Sequence, residues 1–266
     1  MGARAPAFGP NMGGSAPVLE TRGLTIRFGG HVAVNGVSCA FAPGTLTAIV
    51  GPNGAGKTTY FNLMSGQLRA TAGQVLWEGA DITRLPASAR TRRGIGRAFQ
   101  LTNLFPRLTV RENVRIAVQS RAGIGLDLLS RWTRHTDLID EAEQLLRRVN
   151  LTAQATSVAG ALPHGDQRKL EVGILLALRP KIFMFDEPTA GMSVDEVPVI
   201  LDLIHAIKET GDRTILLVEH KMDVVRSLAD RIIVLHNGAL VADGEPAAVI
   251  ASPIVQEAYL GGVPNA

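Results

Sequence analysis

Residues 51–59 read Gly51-Pro52-Asn53-Gly54-Ala55-Gly56-Lys57-Thr58-Thr59. This is a complete G-x-x-x-x-G-K-[ST] phosphate loop. Residues 46–50 ahead of it are apolar and rich in branched side chains, the pattern of a buried strand. Residues 60–64 behind it continue as a helix. Strand, glycine loop and helix is the setting this motif requires. Glycines let the backbone wrap a phosphate closely with its N–H groups turned inward. The helix N-terminus adds partial positive charge. In such a loop Lys57 reaches the β- and γ-phosphates of a nucleotide, and the Thr58 hydroxyl meets Mg²⁺.

The rest of the chain suits an α/β domain. Its 266 residues and 28.3 kDa fit one large domain, or one domain with a subdomain. Hydrophobic residues make up 46% and mean hydropathy is +0.16, as expected for strands buried on both faces. No apolar run approaches the roughly 18 residues of a membrane span. Net charge is +3, slight for a nucleic-acid binder. Cys39 is the one cysteine, which excludes an internal disulfide and a cysteine metal cluster and suits a reducing compartment.

Residues 1–17 are rich in Gly, Ala and Pro and read as a disordered tail without a signal peptide. Residues 18–28 and 32–41 read as two strands joined at Gly29-Gly30, with Phe28 at the end of the first. Residues 74–78 read as a strand and 84–93 as a short helix. Arg90, Arg92, Arg93 and Arg97 form a basic cluster, expected as a solvated face rather than an anion-binding patch. Residues 95–99 are a short strand ending at Gln100. Residues 109–119 and 138–149 are helices, the second with Leu138, Ala142, Leu145, Leu146 and Val149 on one face. Residues 120–137 between them read as a surface insertion.

A helix is expected from near Asp166 to just before Pro180. The apolar residues 181–185 then lead into Asp186-Glu187-Pro188. A strand with two acids at its C-terminal end matches the second half of a nucleoside-triphosphatase site. Asp186 suits the Mg²⁺ shell, and Glu187 suits a general base for the attacking water. Residues 194–210 read as a helix with Pro198 in its first turns. Residues 214–218 read as a strand with Glu219-His220 at its end, where ligands of open α/β sheets gather, so His220 is a candidate γ-phosphate contact. Asn237-Gly238 between residues 231–235 and 239–241 signals a type I′ hairpin. Short helices close the chain over 246–262.

These motifs in this order resemble the ATP-binding subunits of ABC transporters, over residues 18–262. Phe28 matches the base-stacking position, Gly51–Thr59 Walker A, Gln100 the Q-loop and Leu162–Asp166 the signature. Ile182–Asp186 with Glu187 matches Walker B and the catalytic acid, Ala190–Ser193 the D-loop, and His220 the switch histidine. Within the family, Arg27–Gly30, Arg97–Leu101, Ala190–Met192, Val218–Met222 and Ala258–Gly262 are similar to the branched-chain amino-acid and urea/amide importers.

The resemblance implies an α/β fold of the ABC P-loop type: a mixed core sheet with flanking helices, an N-terminal antiparallel β subdomain and a helical subdomain at about 90–165. It implies ATP and Mg²⁺ as ligands. Catalysis would involve Glu187, His220 and Gln100, with Thr58, Gln100 and Asp186 at the metal. Nucleotide contacts would come from Phe28, Gly51, Asn53, Gly54, Ala55, Gly56, Lys57, Thr58 and Thr59. Pro163, His164, Gly165 and Asp166 would contact the ATP of a second ATPase subunit, identical or paralogous. Two polytopic permease subunits, an indirectly engaged substrate-binding protein and a peripheral location on the cytoplasmic face of the inner membrane complete the expectation, with no nucleic acid. Lipid or lipopolysaccharide export and a soluble non-transport role are the alternatives, besides a degenerate binding-only subunit.

Two departures from the family pattern stand out. The common signature Leu-Ser-Gly-Gly-Gln is here Leu162-Pro163-His164-Gly165-Asp166. Proline removes a hydroxyl donor, worth about 1.5–3 kcal/mol against a charged phosphate if nothing replaces it. Asp166 brings a negative charge towards a phosphate, unfavourable unless it is paired or turned away. Ser193 stands where many relatives carry the D-loop aspartate.

Overall fold

The structure, a computed structural model, describes residues 16–98, 104–124 and 136–260. The chain separates into two compact units, one running up to Arg92 and resuming at Gly211, the other spanning Arg93–Thr210.

The first unit carries two sheets. Strands β1 (Leu19–Phe28), β2 (His31–Phe41), β4 (Ala72–Trp77) and the short β5 (Ala80–Asp81) form an antiparallel sheet in the order β2-β1-β4-β5. The Gly29-Gly30 turn pairs Phe28 with His31, and register shifts between Thr21 and Arg27 intervene before Leu19 pairs with Phe41. Buried residues alternate along β1 on either side of a break at 22–23, where the register shifts, as expected of a sheet with one covered face. The other sheet centres on β3 (Leu46–Val50), parallel on one side to β8 (Thr214–Val218) and on the other to β9 (Arg231–His236). All residues of β3 and β8 are buried, which is why both read as unbroken apolar runs. β10 (Ala239–Gly244) returns antiparallel to β9, making the sheet mixed. The turn between them has φ +49° at Asn237 and +76° at Gly238, the signs a type I′ turn requires.

Helices α1 (Lys57–Ser65) and α2 (Ala87–Arg92) belong to this unit, with α7 (Met222–Leu228), α8 (Pro246–Ile250) and α9 (Pro253–Leu260) towards its end. Arg92 and Arg93 are exposed, as a solvated face requires, but Arg90 on α2 departs from that reading. Its side chain is fully buried and donates to the carbonyls of Leu63, Met64, Thr83 and Leu85. Two of those carbonyls close α1, whose last turn carries unsatisfied acceptors and the negative dipole end. Burial pushes the Arg90 guanidinium down to about 10, still charged at neutral pH.

The second unit pairs β6 (Ile95–Ala98) in parallel with β7 (Ile182–Asp186). It holds α3 (Val110–Ala122), α4 (Thr136–Arg148), α5 (His164–Leu178) and α6 (Val197–Lys208). α3 starts in a full capping box between Thr109 and Glu112. α4 buries Ala142, Leu145 and Leu146 on its expected face. α6 begins three residues later than its apolar pattern suggests. The Ser193 amide and hydroxyl both donate to Glu196, so residues 193–196 form a turn, and Pro198 follows within the first helical turn.

Candidate functional site

β3 ends at Val50, and the chain turns at once into the phosphate loop. Gly51 and Gly56 are required there. A Cβ on Gly51 would lie 2.1 Å from the Leu235 carbonyl oxygen, and one on Gly56, at φ +93°, 2.4 Å from that of Ala33. The β9–β10 turn supports the loop directly. Gly238 N–H donates to Ala55 O at 3.1 Å, while Asn35 N–H donates to Gly238 O at 2.8 Å. The hairpin that the sequence offers as a plain turn is therefore a brace for the loop.

Lys57 is buried, and its Nζ donates to Gly51 O at 2.8 Å and Pro52 O at 2.9 Å. These bonds draw the ammonium across the loop. Gly56 contributes no side-chain cap to α1, and the first turn holds no acidic residue. Nothing in that turn therefore neutralises the dipole, which suits an incoming anion. Asn53 and Gly54 are exposed, whereas Thr58 and Thr59 are half-buried. Behind the loop, Tyr60 is fully buried with its hydroxyl 2.7 Å from Thr21 Oγ1 on β1.

In the same unit, Phe28 is exposed, a free aromatic face at the end of β1. His220 follows β8 and is also exposed. Buried Glu219 shapes that turn, its Oε2 accepting from the His220 amide at 2.8 Å and the Lys221 amide at 3.2 Å. Gln100 lies outside the described residues.

In the second unit, Asp186 closes the fully buried β7. Its Oδ2 accepts from Arg97 Nη2 at 2.7 Å, with both side chains about 5% exposed. Arg97 is thus no part of a solvated face. Burial lowers its basicity, and the Asp186 charge opposes that effect. Glu187 is half-buried at φ +51°, a left-handed conformation that a non-glycine residue adopts at some cost. Such strain gathers at functional positions.

The signature stretch opens α5, with Pro163 as N-cap and His164 as first residue, two positions ahead of the expected start. Proline suits that end because it has no N–H to leave unpaired. Asp166 is paired: Lys169 Nζ donates to its Oδ1 at 2.8 Å. Gly165 is buried beneath Glu196, whose Oε1 lies 2.0 Å from where a Gly165 Cβ would stand. Ser193 donates its N–H and its hydroxyl to Glu196 Oε2 at 3.1 and 3.0 Å, and these bonds, with Lys169 and His164 nearby, hold that carboxyl below its ordinary value.

The donors suit a magnesium nucleotide. In the first unit the Thr58 hydroxyl, and in the second the Asp186 carboxylate, are each a hard oxygen donor. Mg²⁺ commonly takes one or two protein oxygens, completing its shell with phosphates and water. Among the described residues no group of three or more His, Cys, Asp or Glu could hold a metal.

Residues 34–190 match the ABC transporter family. The chain belongs to that family. It is 39% identical to the high-affinity branched-chain amino acid transport ATP-binding protein BraF of Pseudomonas aeruginosa, over 93% of this chain and 99% of that protein. The corresponding LivG of Escherichia coli K12 is 38% identical over the same shares. A crystal structure of the ADP conformation of an ABC-transporter ATP-binding cassette superposes with a TM-score of 0.78 at 30% identity, covering 93% of this chain and all of that one. The fold is therefore the ABC cassette. No helix among the described residues is long and apolar enough to cross a membrane. From sequence, Lys169 and Glu196 go unremarked, Arg97 falls in a basic cluster and Gly238 reads only as part of a hairpin turn. Each acts through a contact that the motifs do not encode.

Proposed function

We propose that this chain is the ATP-hydrolysing motor subunit of an importer for branched-chain amino acids or related small polar solutes such as urea and amides. The phosphate loop carries the reading: a buried lysine bent across a glycine loop at an uncapped helix start. Identity of 39% to a branched-chain amino-acid transport subunit, along nearly the whole chain, supports the importer branch.

In this reading Phe28 stacks on the adenine, and residues 51–59 wrap the phosphates through backbone N–H groups. Lys57 binds the β- and γ-phosphates. Thr58 and Asp186 hold Mg²⁺, with Gln100 linking the metal to the adjoining segment. When bound, the metal neutralises charge on the phosphate oxygens. Glu187 takes the proton from the attacking water, and His220 contacts the γ-phosphate. Residues 163–166 face the ATP held by a second ATPase subunit, so that ATP favours the closed pair and hydrolysis releases it. A helical subdomain at about 90–165 meets two polytopic permease subunits, which in turn engage a substrate-binding protein. The chain then works peripherally at the cytoplasmic face of the membrane.

The test is recovery of the tagged chain from gently solubilised native membranes, with identification of its companions. Two polytopic membrane subunits and a second ATPase subunit are expected. Recovery from the soluble fraction alone, with ribosomes or nucleic acid and no membrane protein, would overturn the transport role.

A further inference from the structure

We infer that Arg97 is a positioning residue for the metal-binding carboxylate Asp186, an inference that rests on the ATPase reading above. Arg97 sits on β6, and its Nη2 reaches Asp186 Oδ2 at 2.7 Å on the neighbouring β7. The two strands run parallel with Arg97 opposite Met184, so the guanidinium extends along the pair towards the end of β7.

A charged side chain buried in a short parallel strand is costly to desolvate, and an apolar residue there would pack at less cost. The position of β6 allows little slack. A Cβ on Gly96 would stand 2.5 Å from Leu175 Cδ1 and 2.6 Å from Pro180 Cγ, so the strand lies tight against α5 and the chain that follows it. Arg97 is therefore aimed from a fixed support. The carboxylate it grips closes its strand immediately before the left-handed turn at Glu187. A strand-end carboxylate next to a turn has a side-chain torsion to set, and the guanidinium sets it from outside the metal shell. Partners of this kind orient a ligand before the metal arrives, and their loss weakens metal binding more than it disturbs the rest of the site.

The test uses Mn²⁺ as a paramagnetic probe, titrated by electron paramagnetic resonance into the full chain carrying Glu187→Gln with saturating ATP. Adding Arg97→Gln is expected to weaken Mn²⁺ binding about ten-fold, with ATP affinity in EDTA unchanged. Arg97→Lys keeps the charge and loses the fork, and is expected to fall between. Unchanged Mn²⁺ affinity in Arg97→Gln, or an equal loss of metal-free ATP affinity, would overturn the inference. Should Arg97→Gln fail to fold, Arg97→Lys decides, and Mn²⁺ affinity equal to that of the parent would overturn it. A parent chain that binds no ATP at all would overturn the ATPase reading as well, which separates the two failures.

Discussion

Lys169 Nζ donates to Asp166 Oδ1 at 2.8 Å, one turn apart on the helix that the signature stretch opens. The pair answers the departure at position 166: the extra negative charge carries its own counter-ion. Lys169→Met should cost the fold about 1–3 kcal/mol, because the pair is mostly covered and the substitution strips a largely buried carboxylate of its counter-ion. It should also affect association. In the Glu187→Gln background it should raise several-fold the ATP concentration needed for dimerisation, measured by light scattering. An unchanged ATP requirement would mean that Asp166 does not face the partner's phosphate.

Gly165 is buried by a carboxylate rather than by apolar packing. Alanine is the better helix former by about 1 kcal/mol, yet Gly165→Ala should lower the urea midpoint, because its methyl displaces Glu196 from the Ser193 donors. In a double-mutant cycle, Glu196→Ala should relieve the loss. Additive effects of the two substitutions would exclude the contact.

Arg90 satisfies four carbonyls from the first unit's interior. Arg90→Met leaves them buried without donors and should destabilise the protein by about 3 kcal/mol or more. Arg90→Lys offers at most three donors without the planar fork and should recover part of this. Chemical denaturation of the three proteins checks the order.

Burial raises the Glu171 carboxyl above its ordinary value, with Arg168 at 3.3 Å opposing the shift. The folded chain therefore binds this proton more tightly than the unfolded chain. Its contribution to stability falls as pH rises from the ordinary carboxylate range, about 4.3, through the raised value. Glu171→Gln should flatten that part of the stability profile and unfold later than the parent at neutral pH. Parallel profiles would contradict the assignment.

The two motif segments were legible because each is local. Nine consecutive residues specify the phosphate loop, and an apolar strand running into Asp186-Glu187 specifies the second acidic turn. The hairpin at Asn237-Gly238 was legible because its turn type demands those residues. Arg90 and Arg97 were not. Both stand in a run of arginines that looks like a charged surface; Arg90 turns inward to backbone carbonyls, which no side-chain pattern announces, and the partner of Arg97, Asp186, is 89 positions away. The late start of α6 was hidden for another reason. Val194 is apolar yet almost wholly exposed, so it extends the apolar pattern without joining the core.

The most direct test of the central claim is the mass of the Glu187→Gln chain in solution, with phosphate release followed on the same sample. With ATP and Mg²⁺ the 28.3 kDa chain should pair into a species of twice its mass. It should stay single with ADP and release no phosphate. A chain that binds ATP and remains single, or that hydrolyses it as fast as the unaltered protein, would contradict the account.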